Sequence, residues 1–224
     1  MKLLITRPLP PEVTQAARAR FDVTLRESTL PLTADELRAS LRDFDLILPT
    51  LGDRYQADVF ADVPEPRARM LANFGVGYNH IDVAAARAAG LLVSNTPGAV
   101  TEATADIALT LMLMTARRAG EGERMVRAGL WGGWHPTQML GLHVSGKRIG
   151  IIGMGRIGKA IARRAQAGFG MEVVFFNRSP IVDAGVPARQ VELAAAMAAD
   201  VVVLAVPGDK DTHHLINAGT LAHM

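Results

Sequence analysis

The sequence predicts an α/β protein built from two doubly wound parallel sheets. Three observations carry the prediction. Short apolar segments that read as strands alternate with amphipathic helical segments along most of the chain, the pattern of a parallel sheet covered on both faces. One alternation, Lys147 to Ser179, runs strand, glycine-rich turn, helix and strand, a single βαβ unit. A long, largely apolar helix separates that unit from the strands before it.

From the N-terminus, Lys2 to Ile5 reads as a strand, Pro11 to Arg20 as a helix and Asp22 to Leu25 as a second strand. Thr33 caps a helix through Leu41, and Glu36 three residues on completes a capping box. Asp45 to Leu48 is the third strand. Arg69 to Ala72 and Leu91 to Ser94 are the fourth and fifth, flanking a helix at Val83 to Ala89 that stops at Gly90. The first domain is expected to end near Pro97, giving domains of 1–98 and 99–224. Glu102 to Ala119 is the long helix, apolar nearly all round after a polar first turn, so burial on most faces is expected. Gly120 to Gly146 is rich in glycine, holds Trp131 and Trp134, and is long for a connection with little structure. Such segments are usually functional, and a dimer arm at about 100–146 is the reading, against a mobile surface loop. After the βαβ unit come a helix near Val191 to Ala198 and an apolar strand, Val201 to Val206, whose composition suggests an interior position.

Within the βαβ unit the strands are Arg148 to Ile152 and Glu172 to Phe176. In Gly153-x-Gly155-x-x-Gly158 the first glycine makes the tight turn. The second lets the backbone approach a pyrophosphate, and the third lets helix and strand pack closely. The helix N-terminus offers free N–H groups and the positive end of its dipole. The alternative is an ordinary glycine-rich loop, and the strand before and helix after favour the dinucleotide site. Where an NAD site carries Asp or Glu at the end of the second strand, Asn177, Arg178 and Ser179 stand. With no carboxylate there to repel a 2′-phosphate, and a guanidinium to hold it, NADP(H) is preferred and NAD(H) is possible. Alternatively Arg178 is a solvated loop residue, or stacks on adenine in a site of mixed preference.

Composition excludes several classes. A hydrophobic content of 49% is ample for real cores, and a net charge of +2 without a basic stripe argues against nucleic acid despite a sequence pI near 9.3. There is no cysteine, hence neither a disulfide framework nor a thiolate metal site, which fits a reducing compartment, the cytoplasm by default. The longest apolar run, Ile107 to Ala116, is broken by two threonines and too short for a bilayer. Met1 to Thr6 reads as strand, so a signal peptide is not expected. None of the six histidines has a catalytic or metal-ligating setting: His80 reads as a surface residue, and His213 and His214 as part of a polar loop.

Five segments together, NFGVGYNHID at 73–82, NTPGAVTEATAD at 95–106, ARR at 116–118, GIIGMGRIG at 150–158 and AVPGDKDTHHLIN at 205–217, resemble the D-isomer-specific 2-hydroxyacid dehydrogenases. Asn177, Arg178 and Ser179 point to a branch similar to the NADP-using glyoxylate and hydroxypyruvate reductases. The resemblance implies a flavodoxin-like substrate domain followed by a Rossmann domain, a homodimer, and hydride transfer from NADPH to a small 2-keto acid. It implies that the backbone N–H groups of Val76 and Gly77 hold the substrate carboxylate, the alternative being a plain strand-to-helix turn. Thr104 would face the nicotinamide side, or be a simple helix-terminal hydroxyl. Gly155, Arg156, Ile157 and Gly158 would meet the pyrophosphate, and Val206, Pro207 and Thr212 would line the adenosine side. Arg117 reads as a partner of the helix C-terminus. The Arg, Glu and His that carry catalysis in the family have no counterpart here and would lie beyond Met224. A C-terminally truncated, inactive part of a protein of roughly 310 to 330 residues is therefore expected. The open edge left on the Val201–Val206 strand gives the same expectation. Two other readings stand: a sibling phosphoglycerate, formate or phosphite dehydrogenase, and a nucleotide-sensing corepressor-like binding protein.

Overall fold

The computed structural model describes residues 1–224, which fold as two compact units, Met1–Ala99 and Val100–Met224. In the first, the order is β1 (Lys2–Ile5), α1 (Pro11–Arg18), β2 (Asp22–Leu25), α2 (Ala34–Asp43), β3 (Leu46–Leu48), α3 (Ala57–Ala61), β4 (Met70–Ala72), α4 (Val83–Ala88) and β5 (Leu92–Ser94). All neighbours are parallel and the sheet order is β2-β1-β3-β4-β5, the flavodoxin-like doubly wound arrangement. Helix α2 starts as its sequence dictates: the Thr33 hydroxyl accepts from Glu36 N–H, and the Glu36 carboxylate accepts from Thr33 N–H. Its apolar face buries Leu37 and Leu41 against Ile47, Tyr55, Leu71 and Ile81. Removing such side chains from water is the main contribution that holds a sheet this short.

The second unit comprises α5 (Thr101–Ala116), α6 (Ala119–Arg127), β6 (Arg148–Ile152), α7 (Arg156–Phe169), β7 (Glu172–Phe176), β8 (Ala188–Gln190), α8 (Leu193–Met197), β9 (Val201–Leu204) and α9 (Ala218–Leu221). Its parallel sheet runs β8-β7-β6-β9, the strand order 3-2-1-4 of a Rossmann sheet. Helix α7 lays Ile161 and Ala165 on Ile149, Ile151, Val173 and Phe175, and ends at Gly170 in the left-handed region. Its outer face carries Arg163 and Arg164, which pair with Glu102 and Asp106 of α5 at 2.8–2.9 Å.

Four expectations are corrected. The long helix ends at Ala116, because Arg118 turns into the left-handed region (φ 53) and starts α6 in a new direction. It buries one stripe, Ala105, Leu109, Met112 and Ala116, while Ile107, Leu111 and Met114 stay exposed. Periodicity cannot separate a helix buried all round from one whose second apolar face lies outward. The 120–146 segment is not without structure, since α6 occupies its start with charged faces and ion pairs Arg118–Glu121 and Arg127–Glu123. The apolar Val201–Val206 run, read as buried on both faces, is a shorter and half-buried strand; it is hydrogen-bonded to β6 alone, with the open edge expected of it. Helix α3 and strand β8 are short elements that the sequence reading missed. No helix is long and apolar enough to cross a membrane.

Candidate functional site

Each unit presents a site at the C-terminal ends of its strands, where doubly wound sheets bind ligands. In the second unit β6 delivers the chain into Gly153, whose φ of 101° only glycine adopts readily. A Cβ there would stand 2.7 Å from Ala205 O and 2.8 Å from Val206 Cγ1, so the turn is pressed against the start of the loop after β9. At Gly158 a Cβ would meet Gly153 O at 2.1 Å, the close helix–turn packing its place in the motif requires. At Gly155 a Cβ meets nothing within 4 Å, so that backbone faces open space.

The N-terminus of α7 is unspent. It has no side-chain cap and no acidic residue in its first turn, and the N–H groups of Gly155, Arg156, Ile157 and Gly158 make no hydrogen bond within the chain. Four free donors on a positive helix end, beside a glycine that leaves room, fit a pyrophosphate. The residues present therefore suit a dinucleotide.

At the end of β7 the three residues separate in role. Asn177 has both amide groups bonded within the chain: its Oδ1 accepts from Met154 N–H at 3.2 Å and its Nδ2 donates to Ser179 O at 2.8 Å. Gln190 Nε2 adds bonds to the carbonyls of Asn177 and Ser179. Arg178 is exposed, and its Nη1 pairs with Asp211 Oδ2 at 2.9 Å, leaving Nε and Nη2 uncommitted. The expectation that no carboxylate stands here is thus corrected: Asp211, distant in sequence, is brought in by the loop after β9. Nothing near Arg178 in the sequence signals it.

That loop is closed on itself. Thr212 Oγ1 donates to Pro207 O at 2.6 Å and accepts from Asp209 N–H at 3.0 Å, and Asp209 Oδ1 accepts from the N–H groups of Asp211 and Thr212. Those bonds hold the Asp209 carboxyl below its ordinary range against the opposing effect of desolvation. Val206 is half-buried and Pro207 exposed. The Thr104 hydroxyl, in the first turns of α5, is exposed without a partner, and Arg117 is the C-cap of α5.

In the first unit the polar residues just after β1, β3, β4 and β5, which are Thr6, Thr50, Asn73 and Asn95, gather at one end of the sheet. The turn after β4 carries Val76 and Gly77. Asn73 Nδ2 donates to Gly75 O at 3.1 Å and to Gly77 O at 3.0 Å, and Asn95 Nδ2 donates to Val76 O at 2.8 Å. The N–H groups of Val76, Gly77 and Tyr78 make no hydrogen bond within the chain. His80 is corrected from surface to interior: it is 8% exposed, its Nε2 lies 3.0 Å from Asn73 Oδ1, and its Nδ1 is buried without a partner. Burial lowers its pKa and keeps the ring neutral. Asp53, fully buried, accepts from Thr6 Oγ1 at 2.6 Å, Thr50 N–H at 2.9 Å and Leu32 N–H at 3.0 Å, and pairs with Arg7 at 3.4 Å. The sequence reading missed Asn73, Asn95 and Asp53. Asn73 and Asn95 share a signal, a polar residue immediately beyond an apolar parallel strand, whereas Asp53 lies farther along the loop after β3 and has none. No group of three or more His, Cys, Asp or Glu is arranged to hold a metal ion.

Residues 109–224 match the family model described as the D-isomer specific 2-hydroxyacid dehydrogenase, NAD binding domain. Glyoxylate reductase from Thermococcus onnurineus is 40% identical over 230 residues, covering 100% of this chain and 68% of that protein. Glycerate dehydrogenase from Hyphomicrobium methylovorum is 40% identical over 176 residues, 79% of this chain and 54% of that one. Among solved structures, the TT0316 protein from Thermus thermophilus superposes with a TM-score of 0.91 at 40% identity, covering 100% of this chain and 70% of its own.

Proposed function

Because the chain belongs to the D-isomer specific 2-hydroxyacid dehydrogenase family, we propose that it serves as a glyoxylate or hydroxypyruvate reductase that uses NADPH. That family interconverts 2-hydroxy acids and 2-keto acids with a nicotinamide dinucleotide. The names of the relatives support glyoxylate and hydroxypyruvate, the keto partner of glycerate, as substrates. The single observation that carries the NADPH reading is Arg178, an exposed guanidinium with two free nitrogens at the end of β7.

A bound reduced nicotinamide would supply a hydride to the keto carbon, with a proton added to the oxygen to complete the 2-hydroxy acid, which has the D configuration where that carbon is a stereocentre. The chain's own residues bind and orient. Gly153 sets the turn, and the N–H groups of Gly155, Arg156, Ile157 and Gly158 hold the pyrophosphate. Arg178 grips the 2′-phosphate, with the Ser179 hydroxyl beside it and Asn177 bracing the loop beneath. Val206, Pro207 and the self-closed Thr212 loop line the adenosine, and Thr104 serves the nicotinamide side. In the 1–98 domain, the N–H groups of Val76 and Gly77 hold the substrate carboxylate. The 99–224 domain holds the cofactor. The outward apolar residues Ile107, Leu111 and Met114 of α5, with Trp131 and Trp134 beyond α6, support a homodimer through the 100–146 segment.

NADPH and NADH titrations followed by nucleotide fluorescence, with NADPH oxidation in the presence of glyoxylate or hydroxypyruvate, test the proposal. NADPH is expected to bind more tightly than NADH, and Arg178→Asp to weaken NADPH far more than NADH. Equal losses would show that Arg178 does not read the 2′-phosphate. Turnover of neither acid would remove the substrate assignment. A monomer by sedimentation at micromolar concentration would remove the dimer.

A further inference from the structure

We infer that Asn73 and Asn95 are positioning residues that hold the turn after β4 with its N–H groups turned outward as an anion receptor, and that His80 anchors the Asn73 amide. The inference rests on the reading of Val76 and Gly77 as the carboxylate-binding turn. Three consecutive carbonyls of this turn, those of Gly75, Val76 and Gly77, are each engaged by a side-chain amide. In a planar trans peptide the N–H points away from the C=O it shares. Each bond that fixes a carbonyl therefore fixes the following N–H: Val76 N–H through Gly75 O, Gly77 N–H through Val76 O, and Tyr78 N–H through Gly77 O. One Asn73 nitrogen reaches both Gly75 O and Gly77 O, so these two carbonyls share a side, and the N–H groups of Val76 and Tyr78 face the other. Asn95 fixes the intervening peptide from its own direction. The result is a turn whose acceptors are spent and whose donors are free, the polarity that an anion requires.

The orientation of Asn73 follows from the same bonds. Two carbonyls can only accept, so the atom facing them is the NH₂ group, and Oδ1 faces His80. His80 therefore donates from Nε2, and its neutral ring carries the proton there, with Nδ1 the unpartnered acceptor. Asn73 is 2% exposed and His80 8%, so no water competes easily for these bonds. Without the His80 donor, Asn73 Oδ1 is left unpaired in a buried site and the amide that holds the two carbonyls loses its anchor.

The test is a titration of the ¹⁵N-labelled protein with glyoxylate, following the backbone amides of Val76, Gly77 and Tyr78, with thermal unfolding recorded in parallel. The expected result is that these amides shift in the wild type. Asn95→Ala, at a partly exposed site that tolerates truncation, should then need about tenfold more glyoxylate or more for the same shift, as loss of a charge-assisted hydrogen bond implies. His80→Phe should do the same, His80→Gln, which retains a donor, should recover part of the loss, and Asn79→Ala, an exposed neighbour that bonds to nothing in the turn, should match the wild type. Shifts that occur in the wild type and persist with unchanged affinity in Asn95→Ala and His80→Phe overturn the positioning role while leaving the carboxylate site standing. Absence of shifts in the wild type overturns both.

Discussion

Gly155 and Gly158 belong to one motif, yet the structure predicts that the same substitution acts by different routes, at the ligand in one and on packing in the other. In Gly155→Ala the new methyl meets nothing within 4 Å and the backbone sits at an ordinary φ of −78°. Gly155 is the N-cap of α7, where alanine is a poorer residue, so the expected stability loss is below about 1 kcal/mol. The methyl nevertheless fills part of the open space in front of the helix end, which a phosphate needs in order to reach its unspent N–H groups. Losing two charge-assisted hydrogen bonds, each worth roughly 1.5–3 kcal/mol, should weaken NADPH by about a hundredfold or more. In Gly158→Ala the methyl falls 2.1 Å from Gly153 O, 3.1 Å from Gly153 C and 3.3 Å from Ile151 Cγ2. Two of these are backbone atoms, so α7 must back away by roughly 1 Å, an overpacking cost of about 1–3 kcal/mol. Alanine's better helix propensity returns up to about 1 kcal/mol. The net should lower the melting temperature by a few degrees, about 3–8 °C, and reduce NADPH binding through the displaced helix end. Circular-dichroism melts and NADPH fluorescence titrations of the two variants decide the matter. Wild-type NADPH affinity in Gly155→Ala would refute the assignment of this helix end to the dinucleotide, and a wild-type melt for Gly158→Ala would refute the packing argument.

Asp211 faces the same guanidinium that is to hold a 2′-phosphate, so Asp211→Asn should tighten NADPH a few-fold at low salt, less at high salt, and leave NADH unchanged. Weaker NADPH binding would mean that Asp211 orients Arg178 rather than competing for it. The Asp45 carboxyl, bonded by Arg67 and by Lys2 N–H, is held down to about 2. Because its folded value is depressed, its stabilisation is complete above the ordinary carboxylate range and is lost as pH falls toward 2. Arg67→Ala should return the Asp45 carboxyl toward that range in a ¹³C-detected titration, and an unchanged curve would exclude Arg67 as the cause. Asp53→Ala strands Thr6, Thr50, Leu32 and Arg7 as unpaired donors in a buried site, with an expected loss of about 3–5 kcal/mol in denaturant unfolding. A loss under about 1 kcal/mol would show that water replaces the carboxylate.

The strands and helices were legible where a local rule decides them. Thr33 and Glu36 cap α2 through bonds within four residues, and the apolar runs of β6 and β7 flank a glycine pattern that fits one geometry. Elements escaped where the deciding contact is distant. The five residues of α3 carry no side-chain cap, and the chain is anchored there by burying Val59 and Phe60 against α2 and α4 residues. The left-handed Arg118 that ends α5 is a non-glycine residue held by Glu121, a pairing visible only once the turn exists. The half-burial of β9 is a property of the sheet, and an apolar strand reads the same whether one face or both are covered.

The two sites differ in the same way. Gly153, Gly155 and Gly158 could be assigned from spacing because their tasks are backbone tasks, set by steric rules that follow the chain. Arg178 could be found as a cation at a strand end, but not its counter-ion, because Asp211 arrives through the loop after β9. His80 shows the limit most clearly. A histidine shortly after a G-V-G turn reads as surface, and tertiary structure buries it by giving one nitrogen to Asn73 and none to the other. Leaving a buried nitrogen unpaired costs free energy. The surrounding fold offsets that cost through one bond, Nε2 to Asn73, which in turn commits the amide that holds Gly75 and Gly77. A polar group kept inside at a cost, bonded to the residue that shapes a binding turn, ties the buried interior of this domain to the turn proposed to meet the substrate.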